Sequence, residues 1–137
     1  MPNPVGVLET SLYVEDLDRS IAFYAALFDF DALNADARFC ALNVSGHQVL
    51  LLFKRGSSNL PTQIPGGTIP PHDGSGSLHL AFSVRASDLP DWEKKLQNQS
   101  IPIESRVRWP RGGQSIYFRD PDHHLIELVT PGCWSIY

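Results

Sequence analysis

At 137 residues, with 42% apolar and 19% charged side chains, the chain suits one compact domain or two small modules sharing a core, and it is too apolar for disorder over most of its length. A formal net charge of −4, a pI near 5.6 and the lack of any Lys/Arg run argue against nucleic acid and anionic membranes as partners. No apolar stretch approaches bilayer length, Met1-Pro2-Asn3-Pro4 does not read as a signal peptide, and Cys40 and Cys133 lack metal-like spacing, so a cytoplasmic protein with reduced thiols is expected.

The first run, Val7 to Val14, alternates like a strand. Leu8, Thr10, Leu12 and Val14 fall on one face, and Glu9, Ser11 and Tyr13 on the other. A helix follows, capped by Asp16 or Asp18, with Leu17, Ile21, Tyr24 and Phe28 as its apolar stripe. Arg38 to Val44 and Gln48 to Lys54 read as strands joined by a tight turn at Ser45-Gly46-His47, which leaves His47 solvated. Residues 55–77 are rich in Gly, Pro, Ser and Thr and read as a long linker, a kind of segment that is usually functional or mobile.

The second half repeats the plan. Leu78 to Val84 is a strand, and Ser87 or Asp88 caps a helix that buries Leu89, Trp92 and Leu96. Ile101 to Arg108, Gln114 to Phe118 and His124 to Val129 are strands. The halves align: Leu8–Val14 falls on Leu78–Val84 and Gln48–Phe53 on His124–Val129. The fold class expected is therefore α+β, with two βαβββ modules spanning about 5–54 and 78–131, joined by the linker 55–77.

The polar face of the first strand in each copy carries the chemistry. Glu9 and His79 hold equivalent places, and a pseudo-twofold relation between copies would bring them together. Glu127 sits inside the apolar run Leu125-Ile126-Glu127-Leu128-Val129, where a carboxylate needs compensation that a metal would supply. Its counterpart in copy one is Leu51, which cannot be a ligand. Three protein ligands leave positions open for water or substrate, as a catalytic site requires. The bland alternative is a hydrogen-bonded polar cluster without metal.

Three stretches, Leu12 to Tyr24, Gly76 to Val84 and Tyr117 to Leu128, make the chain resemble the vicinal oxygen chelate superfamily of glyoxalases, bleomycin-resistance proteins and dioxygenases. The resemblance implies cup-shaped mixed sheets with helices on the outer face, a divalent metal that binds a small substrate through adjacent oxygens, and a homodimer. The family's ligand positions fall on Glu9, Leu51, His79 and Glu127. Glu9 stands where many relatives have His, and Leu51 where glyoxalases have a carboxylate. A divalent ion with two Glu and one neutral His is net neutral, so it should acidify bound water less than a two-His site. Mn²⁺, Fe²⁺ and Zn²⁺ all suit such a set. In a lyase or isomerase step, Glu9 or Glu127 leaving the metal could act as base. A dioxygenase step would instead need an open position for oxygen. The alternative function is non-catalytic sequestration of a ligand, as in bleomycin-resistance relatives.

Further candidates are less specific. Arg111, in Trp109-Pro110-Arg111-Gly112-Gly113, could pair with a substrate anion, or simply be solvated at a turn. His72 in the linker could serve as acid or base at the cup mouth, or be a surface histidine. Ser11 and Tyr13 could orient substrate or only line the cup, and Trp109 could add apolar contact. His123 and His124 point to opposite faces and are not a ligand pair; the resemblance, whose members often have Gly at the place of His123, implies a positive φ there.

Overall fold

In the computed structural model, which describes residues 1–137, the chain divides into two units, Met1–Gly76 and Ser77–Tyr137, each with a four-stranded mixed sheet. Unit 1 contains β1 (Glu9–Val14), α1 (Leu17–Phe28), β2 (Ala32–Ala35), β3 (Phe39–Val44), β4 (Gln48–Lys54), β5 (Thr62–Ile64) and β6 (Gly67–Ile69). Its sheet runs β1-β4-β3-β2, with β1 parallel to β4 and the other pairs antiparallel.

Period-two alternation buries Leu12 and Val14 of β1 at 1% and 0% exposure, while Ser11 and Tyr13 stay half-buried on the opposite face. Leu8, expected with the buried set, precedes the strand and is exposed. Asp16, not Asp18, caps α1: its Oδ1 accepts from the Arg19 amide at 3.1 Å. The buried stripe of α1 is Leu17, Ser20, Tyr24 and Leu27, so the helix is rotated slightly from the expected face and Ile21 and Phe28 are only half-buried. The turn at Ser45-Gly46 forms with φ of 57° and 78°, the pair of positive values that a tight hairpin needs.

The segment 55–77 is not structureless. It carries the β5–β6 hairpin and is tied down by the His72 amide donating to the Ser58 carbonyl at 2.8 Å and the Gly56 amide donating to Asp73 Oδ1 at 3.2 Å. The strand β2 also has no clear pattern in the sequence: all four of its residues are exposed.

Unit 2 holds β7 (His79–Ser83), a 3₁₀ turn (Ala86–Asp88), α2 (Leu89–Asn98), β8 (Ser105–Arg108), β9 (Gln114–Arg119) and β10 (Leu125–Val129), with the sheet order β7-β10-β9-β8. No side chain caps α2. The 3₁₀ turn feeds directly into it and Pro90 fills the first turn, where its missing N–H costs nothing. Leu89 and Leu96 are buried, but Trp92 is half-buried under Lys95, whose Nζ lies 5.5 Å from the ring centre. β8 starts at Ser105 rather than Ile101, and Pro102 in the missing stretch has no amide to give a ladder.

The two sheets share one register. Ser11 pairs with Leu51 in unit 1, and Ala81 pairs with Glu127 in unit 2, as the sequence repeat requires. No helix is long and apolar enough to cross a membrane.

Candidate functional site

On the open face of the unit 2 sheet, β7 supplies His79 and β10 supplies Glu127. Their register offsets them by one row, since Glu127 faces Ala81 directly. His79 Nε2 lies 3.1 Å from Glu127 Oε1, and His79 Nδ1 lies 2.8 Å from the Leu125 carbonyl oxygen. A carbonyl can only accept, so Nδ1 carries the proton and donates. In the neutral ring, Nε2 then presents a lone pair to a carboxylate lone pair. That arrangement is repulsive unless a cation, a proton or a metal ion, sits with both groups. The donor chemistry thus fits a divalent ion.

Glu127 is held from behind. Its Oε2 accepts from Ser115 Oγ at 2.5 Å, and that oxygen accepts from Trp109 Nε1 at 2.8 Å. Tyr117 on β9 faces Glu127 across the ladder. Burial first, and the Glu127 charge second, raise the Tyr117 phenol above its ordinary value. Glu127 and Ser115 are buried, whereas His79 is half exposed along its side chain. Ser115 and Tyr117 were not singled out from the sequence. The signal was their parity: strand 114–118 places both on the face that Glu127 uses.

In unit 1 a cavity of about 430 Å³ is lined by Glu9, Ser11, Tyr13, Leu51 and His72, with Arg38, Phe39 and Phe53 beside them. The Tyr13 hydroxyl and His72 Nδ1 are 2.7 Å apart. Burial first, and the Asp73 charge second, push the Tyr13 phenol up. His72 is a half-buried pocket residue. Glu9 is exposed and has no hydrogen bond or ion pair within its unit.

The structure thus brings His79, Glu127 and Trp109 into one network in unit 2, and Glu9, Ser11, Tyr13 and His72 around one cavity in unit 1. Within either unit, no group of three or more His, Cys, Asp or Glu side chains is gathered for a metal. Arg111 is exposed in the 109–113 turn. His123 adopts the positive φ expected of it, 63°, and is exposed, while His124 is buried, its Nδ1 accepting from the Leu78 amide at 2.9 Å. A larger hollow of about 610 Å³ between α2 and β8 contains none of the expected site residues.

The two four-stranded mixed sheets and the repeat register they share are those of the vicinal oxygen chelate class. The chain belongs to the Glyoxalase/Bleomycin resistance protein/Dioxygenase superfamily, whose family model matches residues 6–128. The metallothiol transferase FosB of Bacillus licheniformis is 33% identical over 127 residues, covering 92% of this chain and 75% of that protein. The FosB of Staphylococcus epidermidis is 35% identical over 118 residues, covering 85% and 75%. The crystal structure of lactoylglutathione lyase from Agrobacterium tumefaciens matches with a TM-score of 0.87 at 30% identity, over 98% of this chain and 99% of that one. A FosX mutant from Listeria monocytogenes, complexed with Mn(II) and 1S,2S-dihydroxypropylphosphonic acid, shares the fold with a TM-score of 0.67 at 19% identity, over 92% and 90%. The relatives place the chain among the metal-dependent enzymes of the glyoxalase superfamily.

Proposed function

We propose that the chain binds one divalent ion through Glu9, His79 and Glu127 and acts on a small substrate with two neighbouring oxygens. The observation that carries this is the His79–Glu127 pair, two lone-pair donors at 3.1 Å whose outer atoms are already committed to Leu125 and Ser115. When bound, the ion supplies Lewis-acid polarisation of the substrate oxygens. The chain's own residues do the rest. Leu125 fixes the His79 tautomer, and Ser115, backed by Trp109, fixes the Glu127 carboxylate. Ser11 and the Tyr13–His72 pair offer hydrogen bonds to substrate from the unit 1 cavity. Arg111, exposed in the 109–113 turn, is a candidate anion partner.

The names of the relatives bring thiol chemistry to this reading, either transfer of a thiol or lysis of a thiol adduct. Mn²⁺ is the first metal to test, because the FosX complex contains it. Cys40 and Cys133 are free thiols, in keeping with a cytoplasmic location, and we place the protein there as a homodimer. A sequestration role is favoured by one feature: Leu51, which takes the place of a possible fourth ligand, lines the same cavity as Glu9.

Metal content of untagged protein decides the matter. The metal reading expects about one equivalent of metal per chain, lost in Glu127→Ala. It fails if the native protein is metal-free and takes up none of Mn²⁺, Fe²⁺ or Zn²⁺; chelator-insensitive ligand binding would then make sequestration the account. Light scattering measures the dimer.

A further inference from the structure

The unit 1 cavity has a composition that the metal does not explain. Three aromatic residues occupy one register row: Tyr13 on β1 pairs with Phe53 on β4, which pairs with Phe39 on β3. The Tyr13 and Phe53 rings lie 5.9 Å apart at 24°, and Phe53 and Phe39 lie 5.8 Å apart at 26°. His72 stands edge-on to Phe53 at 4.5 Å and 77°. The result is a stacked aromatic floor three strands wide, with an imidazole as its end wall. The next row along the same face is Ser11, Leu51 and Ala41, and Glu9 lies one row beyond, so aromatic character is confined to one end.

At that end lies the one cationic side chain of the cavity lining, Arg38. Its Nη1 donates to Thr62 Oγ1 of the β5–β6 hairpin at 3.0 Å. Its ion pair with Asp36 is long, at 3.8 Å, and the other Asp36 oxygen is engaged by the Arg38 and Phe39 amides at 2.7 and 3.2 Å. A guanidinium has five donors in a planar fork, and most of those of Arg38 have no protein acceptor. The hairpin therefore orients Arg38 while leaving its fork for a ligand. Glu9, the acidic group of the lining, is four residues along β1 from Tyr13, about 13 Å at ~3.3 Å per residue, so its repulsion of an anion at Arg38 is weak.

We propose that this cavity binds an aromatic acid. The ring stacks on the Tyr13–Phe53–Phe39 floor, the oxyanion pairs with the Arg38 fork, and the His72 imidazole closes the end of the site. At about 430 Å³ the cavity is of ordinary size for a small ligand. A carboxylate and a phosphonate present the same oxyanion edge to Arg38, and the experiment separates them. The assignment takes the cavity to be the substrate's, and in that respect rests on the proposed function, but all its residues belong to unit 1.

The test uses the full chain, treated with chelator, titrated by calorimetry with 2-naphthoate, naphthalene-2-phosphonate and the neutral 2-naphthamide. One equivalent of at least one acid should bind, more tightly than the amide by roughly tenfold to a hundredfold, the range for a charge-assisted hydrogen bond. Arg38→Gln should remove that preference and leave amide binding within about threefold, and Phe53→Leu should weaken acid and amide alike. In unaltered protein, intermolecular NOEs from the naphthalene protons should reach the Phe39 and Phe53 rings, which keeps the test open if a variant does not fold. Failure of both acids to saturate, an amide as tight as the acids, an unchanged Arg38→Gln, or NOEs to other residues would each overturn the assignment. Absent metal uptake with intact naphthoate binding sinks only the metal reading, and the reverse pattern sinks only this one.

Discussion

Glu127 shows how one residue can be read and misread. Its place in an apolar run marks it as a carboxylate needing a partner, and the structure supplies partners: His79 on one oxygen, Ser115 on the other. The sequence could point to His79, because the repeat sets it against Glu9. It could not point to Ser115, because a serine on a strand carries no signature beyond its parity. Ser115→Ala should therefore be informative. It removes the donor to Glu127 Oε2 and leaves the part-buried Trp109 Nε1 without its acceptor. Loss of a hydrogen bond behind a ligand typically costs about 10- to 100-fold in metal affinity, and the stranded indole N–H should cost about 1–3 kcal/mol of stability. Calorimetric titration with Mn²⁺ and urea unfolding read the two effects separately. Unchanged Mn²⁺ affinity at unchanged fold would show that Ser115 does not support a metal ligand.

The strands and helices were legible wherever alternation or helical spacing was strong, as in β1, β4, β7 and α1. They were obscure where burial gave no pattern. All residues of β2 are exposed, and the β5–β6 hairpin lies in a Gly/Pro-rich stretch that hides its pairing. What that stretch does is set by packing: a Cβ added at Gly74 would lie 2.5 Å from Cδ2 of the Tyr13 ring, so the segment rests directly on the cavity wall. The 109–113 turn is held in a similar way. The Trp109 amide donates to the Gly113 carbonyl at 2.8 Å, closing the turn, and a Cβ on Gly113 would meet the Gly132 carbonyl carbon at 2.5 Å and the Cys133 nitrogen at 2.6 Å. Backbone atoms cannot rotate aside, so Gly113→Ala should push the turn off the C-terminal segment. Overpacking of this kind costs roughly 1–3 kcal/mol, and Trp109 should lose its hold on Ser115. Gly66→Ala, where the added methyl meets nothing within 4 Å, is the control and should stay within about 0.5 kcal/mol. Urea midpoints measure both, and equal midpoints would show that the two glycine segments can part without cost.

The twofold repeat is the most legible feature of the whole molecule, since the sequence offset survives as strand register: Leu51 faces Ser11 as Glu127 faces Ala81. The repeat does not carry over side-chain chemistry, and the asymmetry between Leu51 and Glu127 is where the candidate site departs from fourfold ligation. Restoring symmetry tests the proposed ligand set. In Leu51→Glu a new carboxylate enters the half-buried floor of the cavity that Glu9 also lines. Without metal, the two like charges repel on a partly desolvated surface, so the variant should melt below the parent in chelator. With Mn²⁺, a fourth protein ligand should tighten binding by roughly tenfold, about 1.4 kcal/mol, and this is returned as stability when the metal is saturating. Turnover should fall at the same time, because the position left open for substrate is filled. Melting with and without Mn²⁺ therefore separates two geometries. If the metal-dependent rise is larger in Leu51→Glu than in the parent, the place of Leu51 is a ligand position and Glu9 shares the ion. If both proteins gain equally, the ion is held by His79 and Glu127 without the unit 1 face, and Glu9 must be reassigned to the substrate.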